Sequence, residues 1–261
     1  MKSNTKQCLF CGANLAGNRS IEHVFPQWLQ VKYGLSTEGV LQTHFSADGK
    51  VLSSRHHNLS KHVCGRVCTT CNNGWMSQLE TDTMPLICAL AERKVTLNDL
   101  NSEQCFLLAF WACKTAYALH AASNYRMIVP KIHMRFLSTQ PRELPKGVSV
   151  FGHQFNCTEP FVWWQSPTWQ VSADEKTLTD DFLTIIRNTA YKISFSINNL
   201  ALIVAYNPFD DMSLVLWKYF HFPIWPERGP VFWYDRNIFP KDNSNFVCLA
   251  LVAAMGLQQI K

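Results

Sequence analysis

Hydrophobic and polar positions change rhythm twice along the 261-residue chain. Residues 1–74 carry only short apolar runs among Cys, His, Asn and Gly. From Trp75 to about Lys94 the apolar positions Trp75, Met76, Leu79, Leu86, Ile87 and Leu90 recur at helical spacing, and the reading is a helix that restarts near Asp82 with Pro85 in its first turn. A polar stretch from Thr96 to Glu103 follows. Ser102 then reads as the N-cap of a long helix to about Ala122, apolar on most faces and therefore central and buried. Beyond Pro130 the rhythm becomes that of short strands, at Val148–Phe151, Phe161–Trp164, Lys192–Ile197, Leu200–Tyr206 and Ser213–Phe220, with Asn198-Asn199 as a hairpin turn. Helices are expected at Asp180–Ala190 and Asn245–Leu257.

This pattern predicts an α+β protein in two parts: a small amino-terminal domain over 1–95 and a larger mixed α+β domain over 96–261. With hydrophobics at 47%, charged residues at 16% and nine Trp, the chain can bury a substantial core and is not a disordered tail. Net charge is +5. Residues 1–90 hold eight Lys/Arg against five Asp/Glu, and residues 91–261 hold sixteen against fourteen, so the excess leans to the amino end and suits a polyanion such as nucleic acid. The longest apolar runs, Cys105–Leu119 and Val247–Leu257, fall short of a membrane span, and Met1–Gln7 lacks an apolar export segment. The expectation is a cytoplasmic protein with no membrane partner.

Ten cysteines without an export signal point away from disulfides. Cys88, Cys105, Cys113 and Cys248 sit in apolar stretches and read as small buried hydrophobes, while Cys157 has no assignment. The others form two pairs, Cys8-Leu-Phe-Cys11 and Cys68-Thr-Thr-Cys71, separated by 56 residues. Four thiolates satisfy tetrahedral zinc, so the pairs are expected to hold a structural Zn²⁺ that joins two segments too poor in apolar surface to stay together alone. Cys64, four residues before Cys68, is an alternative ligand.

Between the pairs lies Ser20-Ile-Glu22-His23-Val-Phe-Pro26, and directly after the second comes Asn72-Asn73-Gly74. The Glu-His-Val-x-Pro string resembles the Asp-His-Ile-x-Pro string of HNH (His-Me finger) endonucleases. Cys-x-x-Cys-Asn-x-Gly resembles their closing segment, and the two halves occur in the family's order over roughly residues 8–80. The resemblance implies a ββα-metal finger that hydrolyses phosphodiester bonds of nucleic acid, DNA being the expected substrate. By position His23 matches the general base, Glu22 the first metal ligand and Asn72 the closing ligand, with Asn73 as its adjacent alternative. The middle Asn of the pattern falls most nearly on Asn58.

The chemistry agrees with those residue types. A neutral His has the basicity to take a proton from water near neutral pH. A carboxylate and an amide oxygen are hard ligands that suit one Mg²⁺ or Mn²⁺ while leaving positions for phosphate and water. Neighbouring residues on a regular strand point to opposite faces, so Glu22 and His23 share a site only where the strand bends.

Other side chains have two readings each. His56, His57 and His62 are solvated loop residues or additional metal ligands. Trp28 and Trp75 close the back of the finger with Leu29 and Met76, or stack on a base. Glu80 is a solvated helix residue or supports the metal from behind. Arg19, Arg55, Lys61 and Arg66 are solubilising or contact phosphate. Trp163-Trp164 and Phe232-Trp233-Tyr234 suggest a ligand surface or, with no catalytic groups beside them, core strand residues, the second being the reading preferred. The rival to a nuclease is a non-catalytic zinc module that binds nucleic acid or protein. For 96–261 the expected roles are substrate selection, oligomerisation or regulation through a partner.

Overall fold

A computed structural model describes residues 6–34, 39–45, 50–123, 128–140, 142–156, 161–166, 168–217, 221–226, 231–234 and 244–260. The chain is mixed α+β, with the cysteine cluster near its amino end. It folds into two compact units, each drawn from two stretches: Met1–Thr81 with Tyr117–Arg142, and Asp82–Ala116 with Glu143–Lys261.

The first unit contains strand β1 (Arg19–His23), helix α1 (Gln27–Lys32), the strands β2 (Gly39–Phe45) and β3 (Val51–Asn58), and strand β4 (Val63–Cys68). β1 pairs antiparallel with β4, and β2 with β3, as two separate two-stranded sheets. After β4 the chain turns into a short helix α2 (Thr69–Cys71), a wide π-helical turn at Asn72–Met76, and helix α3 (Ser77–Ala91). The sequence order of the paired elements is thus strand, strand, helix. Val24, Phe25, Leu29, Leu59, Val67 and Met76, on and around these elements, are buried.

Two helix expectations are corrected. α3 does not restart at Asp82; it runs through Pro85, which lies on the exposed side, so the lost backbone donor faces solvent and not the core. Helix α4 (Ser102–Ala122) begins at Ser102 and is capped by the residue before it. Asn101 Oδ1 accepts from Gln104 N–H (2.9 Å) and Gln104 Oε1 accepts from Asn101 N–H (3.0 Å), a reciprocal pair that satisfies two donors that would otherwise be orphaned. By length and composition α4 could cross a membrane, but 78% of its apolar window is buried inside the protein, as the central role expected of it requires. Helix α5 (Lys131–Thr139) follows.

The second unit is built on a five-stranded antiparallel sheet of β5 (Val148–Gln154), β6 (Phe161–Ser166), β8 (Tyr191–Ile197), β9 (Leu200–Tyr206) and β11 (Phe222–Trp225), in the order β11-β5-β9-β8-β6. A second sheet has the order β12-β10-β13-β7, from β7 (Gln170–Ser172), β10 (Met212–Trp217), β12 (Val231–Tyr234) and β13 (Gly256–Gln259). Helix α6 (Asp180–Thr189) starts on a Thr179 cap, its hydroxyl accepting from Phe182 N–H at 3.2 Å. Helix α7 (Ser244–Ala253) ends four residues earlier than the sequence pattern implies, because Gly256–Gln259 enter the second sheet between β10 and β7. A Cβ at Gly256 would lie 2.9 Å from the Gln170 carbonyl oxygen, so the close strand approach needs glycine there.

β8 and β9 are covered on both faces, and this accounts for their near-continuous apolar sequences. Trp111 meets Phe195 edge-on at 5.9 Å on one side. On the other, Ser194 Oγ donates to the Cys248 carbonyl at 2.8 Å, and Lys192 Nζ donates to the Val252 and Met255 carbonyls at 2.7 and 2.9 Å, closing the end of α7. The hairpin turn falls where expected. Asn198 takes the left-handed conformation (φ +49°), and the Asn198 and Asn199 amides both donate to the Ala91 carbonyl at 3.0 Å, capping α3. Cys105, Cys113 and Cys248 are buried thiols and Cys88 is half-buried. Trp163 and Trp164 are half-buried on β6. Cys157 and the part of the last expected strand beyond Trp217 lie outside the described residues, as do the side chains of Phe232, Trp233 and Tyr234.

Candidate metal centre

The first cysteine pair sits on a knuckle whose backbone is set by Gly12. Its φ of +78° lets Gly12 N–H return to the Cys8 carbonyl at 3.0 Å, while Cys8 N–H reaches the Ala13 carbonyl at 2.8 Å. Leu9 N–H then donates to the Arg66 carbonyl of β4 at 2.9 Å, tying the knuckle to the strand that carries the second pair. Cys68 caps α2: its sulfur accepts from Cys71 N–H at 3.4 Å, and Cys68 N–H points to Cys8 Sγ at the same distance. Phe10, within the knuckle, packs edge-on against Trp75 with ring centroids 5.7 Å apart.

The four sulfurs of Cys8, Cys11, Cys68 and Cys71 lie within 4.8 Å of one another, three of the residues buried and Cys11 exposed. Cys8–Cys71 is 3.9 Å and Cys11–Cys68 is 3.5 Å. A tetrahedron with Zn–S of about 2.3 Å has sulfur–sulfur edges of about 3.8 Å, whereas a disulfide needs about 2.05 Å. The set therefore fits a tetrahedral Zn²⁺ and not a pair of disulfides. Among the thiols themselves, the hydrogen bond from Cys71 holds Cys8 down to about 4, and that same bond pushes Cys71 up. Cys64 is not part of the cluster. It lies on β4 opposite Glu22, and burial, with the Glu22 carboxylate adding to it, pushes its thiol up to about 11.

The structure brings the two halves of the reactive string together. Asn72, the first residue of the π-helical turn, donates from Nδ2 to Ser20 Oγ at 2.7 Å and to the Ile21 carbonyl at 3.5 Å. Gly74 inside the turn has φ −95° and ψ −113°, outside helical values, and the wide turn accommodates it. Asn73 is exposed, so Asn72 and not its neighbour faces β1. Ser20 was legible only as part of the string; its role in holding Asn72 becomes visible once the helix packs on the strand.

β1 keeps its alternation. The register is Arg19↔Cys68, Ser20↔Val67, then Glu22↔Cys64 and His23↔Val63, so two residues of β4, Gly65 and Arg66, stand against Ile21 alone. The irregularity thus lies before Glu22 and on the partner strand, and there is no bend between Glu22 and His23. Ser20 and Glu22 share the inner face with Val67 and Cys64, and Glu22 is only 5% exposed. Arg19, Ile21 and His23 share the other face, where Ile21 is 61% exposed and His23 half-exposed. Glu22 and Asn72 therefore address the same face, and His23 addresses the accessible one.

Of the remaining candidates, His62 is buried just before β4, two residues ahead of Cys64 in the chain. His56 and Asn58 are exposed on β3, and the side chain of His57 lies outside the described residues. Trp28 and Trp75 are half-buried beside the fully buried Leu29 and Met76, and Glu80 is half-buried on α3. Arg19 Nε donates to the Gly65 carbonyl at 2.8 Å, which lays the guanidinium over the glycine on the accessible face. Arg55 and Lys61 are exposed and Arg66 is half-buried. No family model matches the chain, and neither a curated protein nor a solved structure matches it.

Proposed function

We propose that the first unit is a metal-dependent endonuclease of the HNH type, acting on DNA, with His23 as general base; Glu22 and Asn72, as ligands of one Mg²⁺ or Mn²⁺, start from the opposite face of β1 and would have to turn around the strand edge to serve that base. The observation that carries this reading is the Asn72 bond to Ser20 and Ile21. It joins the residue after the second cysteine pair to the Glu22-His23 strand, within a strand–strand–helix frame stapled by four thiols. In this reading the staple sets the site, because Asn72 follows Cys71 directly and the vector of its amide is fixed once the thiolate is.

His23 takes a proton from a water on the accessible face, a task that requires the neutral imidazole. The resulting hydroxide attacks phosphorus, the bond to the 3′ oxygen breaks, and the departing 3′ oxide takes a proton from solvent, leaving a 5′ phosphate and a 3′ hydroxyl. The cation would supply charge stabilisation at the phosphate and the leaving oxygen. Arg19, exposed on the same face of β1 as His23, would meet a phosphate there.

A second reading is favoured by one observation. Glu22 is buried and starts from the face opposite His23, which also suits a non-catalytic zinc module that binds nucleic acid or protein. Incubation of supercoiled plasmid with and without Mg²⁺ or Mn²⁺ separates the two. Metal-dependent relaxation or linearisation lost in His23→Ala at equal zinc content supports the nuclease. A His23→Ala protein that keeps every activity of the parent supports the binding module.

A further inference from the structure

The four thiols of the staple are unequal in a way that tetrahedral ligation does not require. Cys8, Cys68 and Cys71 are buried, whereas Cys11 is exposed. Cys11 Sγ also makes the shorter of two contacts between the pairs, 3.5 Å to Cys68 against 3.9 Å between Cys8 and Cys71. Its partner is fully buried at the junction of β4 and α2, with its sulfur already accepting from Cys71 N–H at 3.4 Å. The two sulfurs belong to different segments, Cys11 to the amino-terminal knuckle and Cys68 to the end of β4.

Oxidation selects a cysteine by its thiolate character and its exposure, and a sensor thiol often has a second cysteine beside it to resolve the sulfenic acid. A zinc-bound thiol is deprotonated outright, so thiolate character is common to all four residues and exposure singles out Cys11. We propose that Cys11 is an oxidation site for hydrogen peroxide and that Cys68 resolves it, giving a Cys11–Cys68 disulfide across the staple with loss of zinc. This stands on the thiol cluster and does not depend on the nuclease reading.

The Cys11 thiolate attacks one peroxide oxygen, the O–O bond breaks, and the departing hydroxide takes a proton to become water, leaving Cys11 as a sulfenic acid. The Cys68 thiolate then attacks the Cys11 sulfur. The S–O bond breaks, the second hydroxide leaves as water, and the sulfurs close from 3.5 Å to the about 2.05 Å of a disulfide. Two electrons have passed from the two sulfurs to the peroxide. Cys8 and Cys71 are left as two thiolates where a structural zinc takes four, so the ion departs. The new bond still ties the knuckle to the end of β4, beside the Leu9 N–H bond to the Arg66 carbonyl. What is released is Cys71 and, directly after it, the π-helical turn that begins at Asn72.

The test treats the full zinc-loaded chain with hydrogen peroxide, follows released zinc with a colorimetric chelator, and maps disulfides by mass spectrometry of non-reduced peptides. The expected result is loss of the whole zinc equivalent together with one disulfide, Cys11–Cys68, and return of both thiols and the zinc after dithiothreitol and added Zn²⁺. Hydrogen exchange should rise over 69–76 and stay at its reduced-state rate at Leu9. Cys11→His exchanges the exposed thiolate for an imidazole that zinc also accepts, and its zinc should stay bound at the peroxide dose that empties the parent. A parent that binds no zinc or keeps it under peroxide, a disulfide within Cys8–Cys11 or Cys68–Cys71, or equal zinc release from Cys11→His overturns the proposal. The peptide map of the parent decides the matter even where Cys11→His fails to bind zinc.

Discussion

Strands β3 and β8 belong to opposite physical regimes. On β8 all seven residues are buried between α7 and the layer that contains Trp111, and one hairpin partner extends this to β9. On β3 the described residues are exposed, and the unit that contains it relies on a few buried side chains, a network of backbone bonds and a cluster of four sulfurs. One unit is held by apolar area and the other is stapled. Apolar burial depends on many interchangeable contacts, whereas four ligands at one point concentrate the stability of a fold into a few atoms.

The largest expected effect follows from that concentration. Cys68→Ser, or prolonged chelation, removes a zinc whose binding in comparable small sites carries about 10–16 kcal/mol, and β1 separates from β4 and α2. Metal analysis should fall from one equivalent of zinc to none, and hydrogen exchange should rise sharply over residues 19–23 and 63–76 while β8 and β9 stay protected. Equal loss of protection in β8 would mean that the units do not differ in this way.

Next comes the converse. Phe195→Ala leaves a cavity under Trp111 and is expected to cost about 3–5 kcal/mol in the second unit. Zinc stoichiometry should remain one, so a drop in bound zinc would contradict the separation.

A third effect concerns Lys192, buried with its ammonium on the Val252 carbonyl of α7 and the Met255 carbonyl just beyond it, 4.5 Å from the Trp169 ring. Burial pulls its pKa down to about 7. The unfolded chain therefore holds a proton that the folded chain has released between about pH 7 and the usual lysine value near 10.4, and stability rises with pH across that window. Lys192→Met removes the rise, whatever it does to the midpoint at a single pH. Denaturant melts at several pH values measure the slope.

The smallest effect is at a cap. Asn101→Ala unmakes the reciprocal bonds with Gln104 and should cost about 1 kcal/mol by chemical denaturation, with no change in zinc content.

The same contrast decides what the chain made legible. The thiol cluster could be read because two short Cys-x-x-Cys pairs are a compact ligand pattern for zinc, and the central helix and β8–β9 hairpin could be read because burial on all sides leaves continuous apolar runs. Three features depend on partners distant in sequence. Gly256–Gln259 looks like the tail of a helix until β10 and β7 accept it on either side. Asn101 outcompetes Ser102 as a cap because Gln104 returns the bond. The described side chains of β3 are all exposed, so β3 lacks the alternation that marks a half-buried strand. At the site, the residue types were legible from the string, but the assignment of Ser20, Glu22 and Asn72 to one face and His23 to the other depends on where β4 carries its extra residue.

The account turns on His23 acting as a base in the stapled unit, and chemical rescue measures that most directly. Plasmid cleavage with Mg²⁺ or Mn²⁺ is followed for the wild type, for His23→Gly of equal zinc content, and for His23→Gly with added imidazole. Loss of cleavage in the variant and its partial return with imidazole is the predicted result. Undiminished cleavage by His23→Gly, or no metal-dependent cleavage by the wild type, would contradict it.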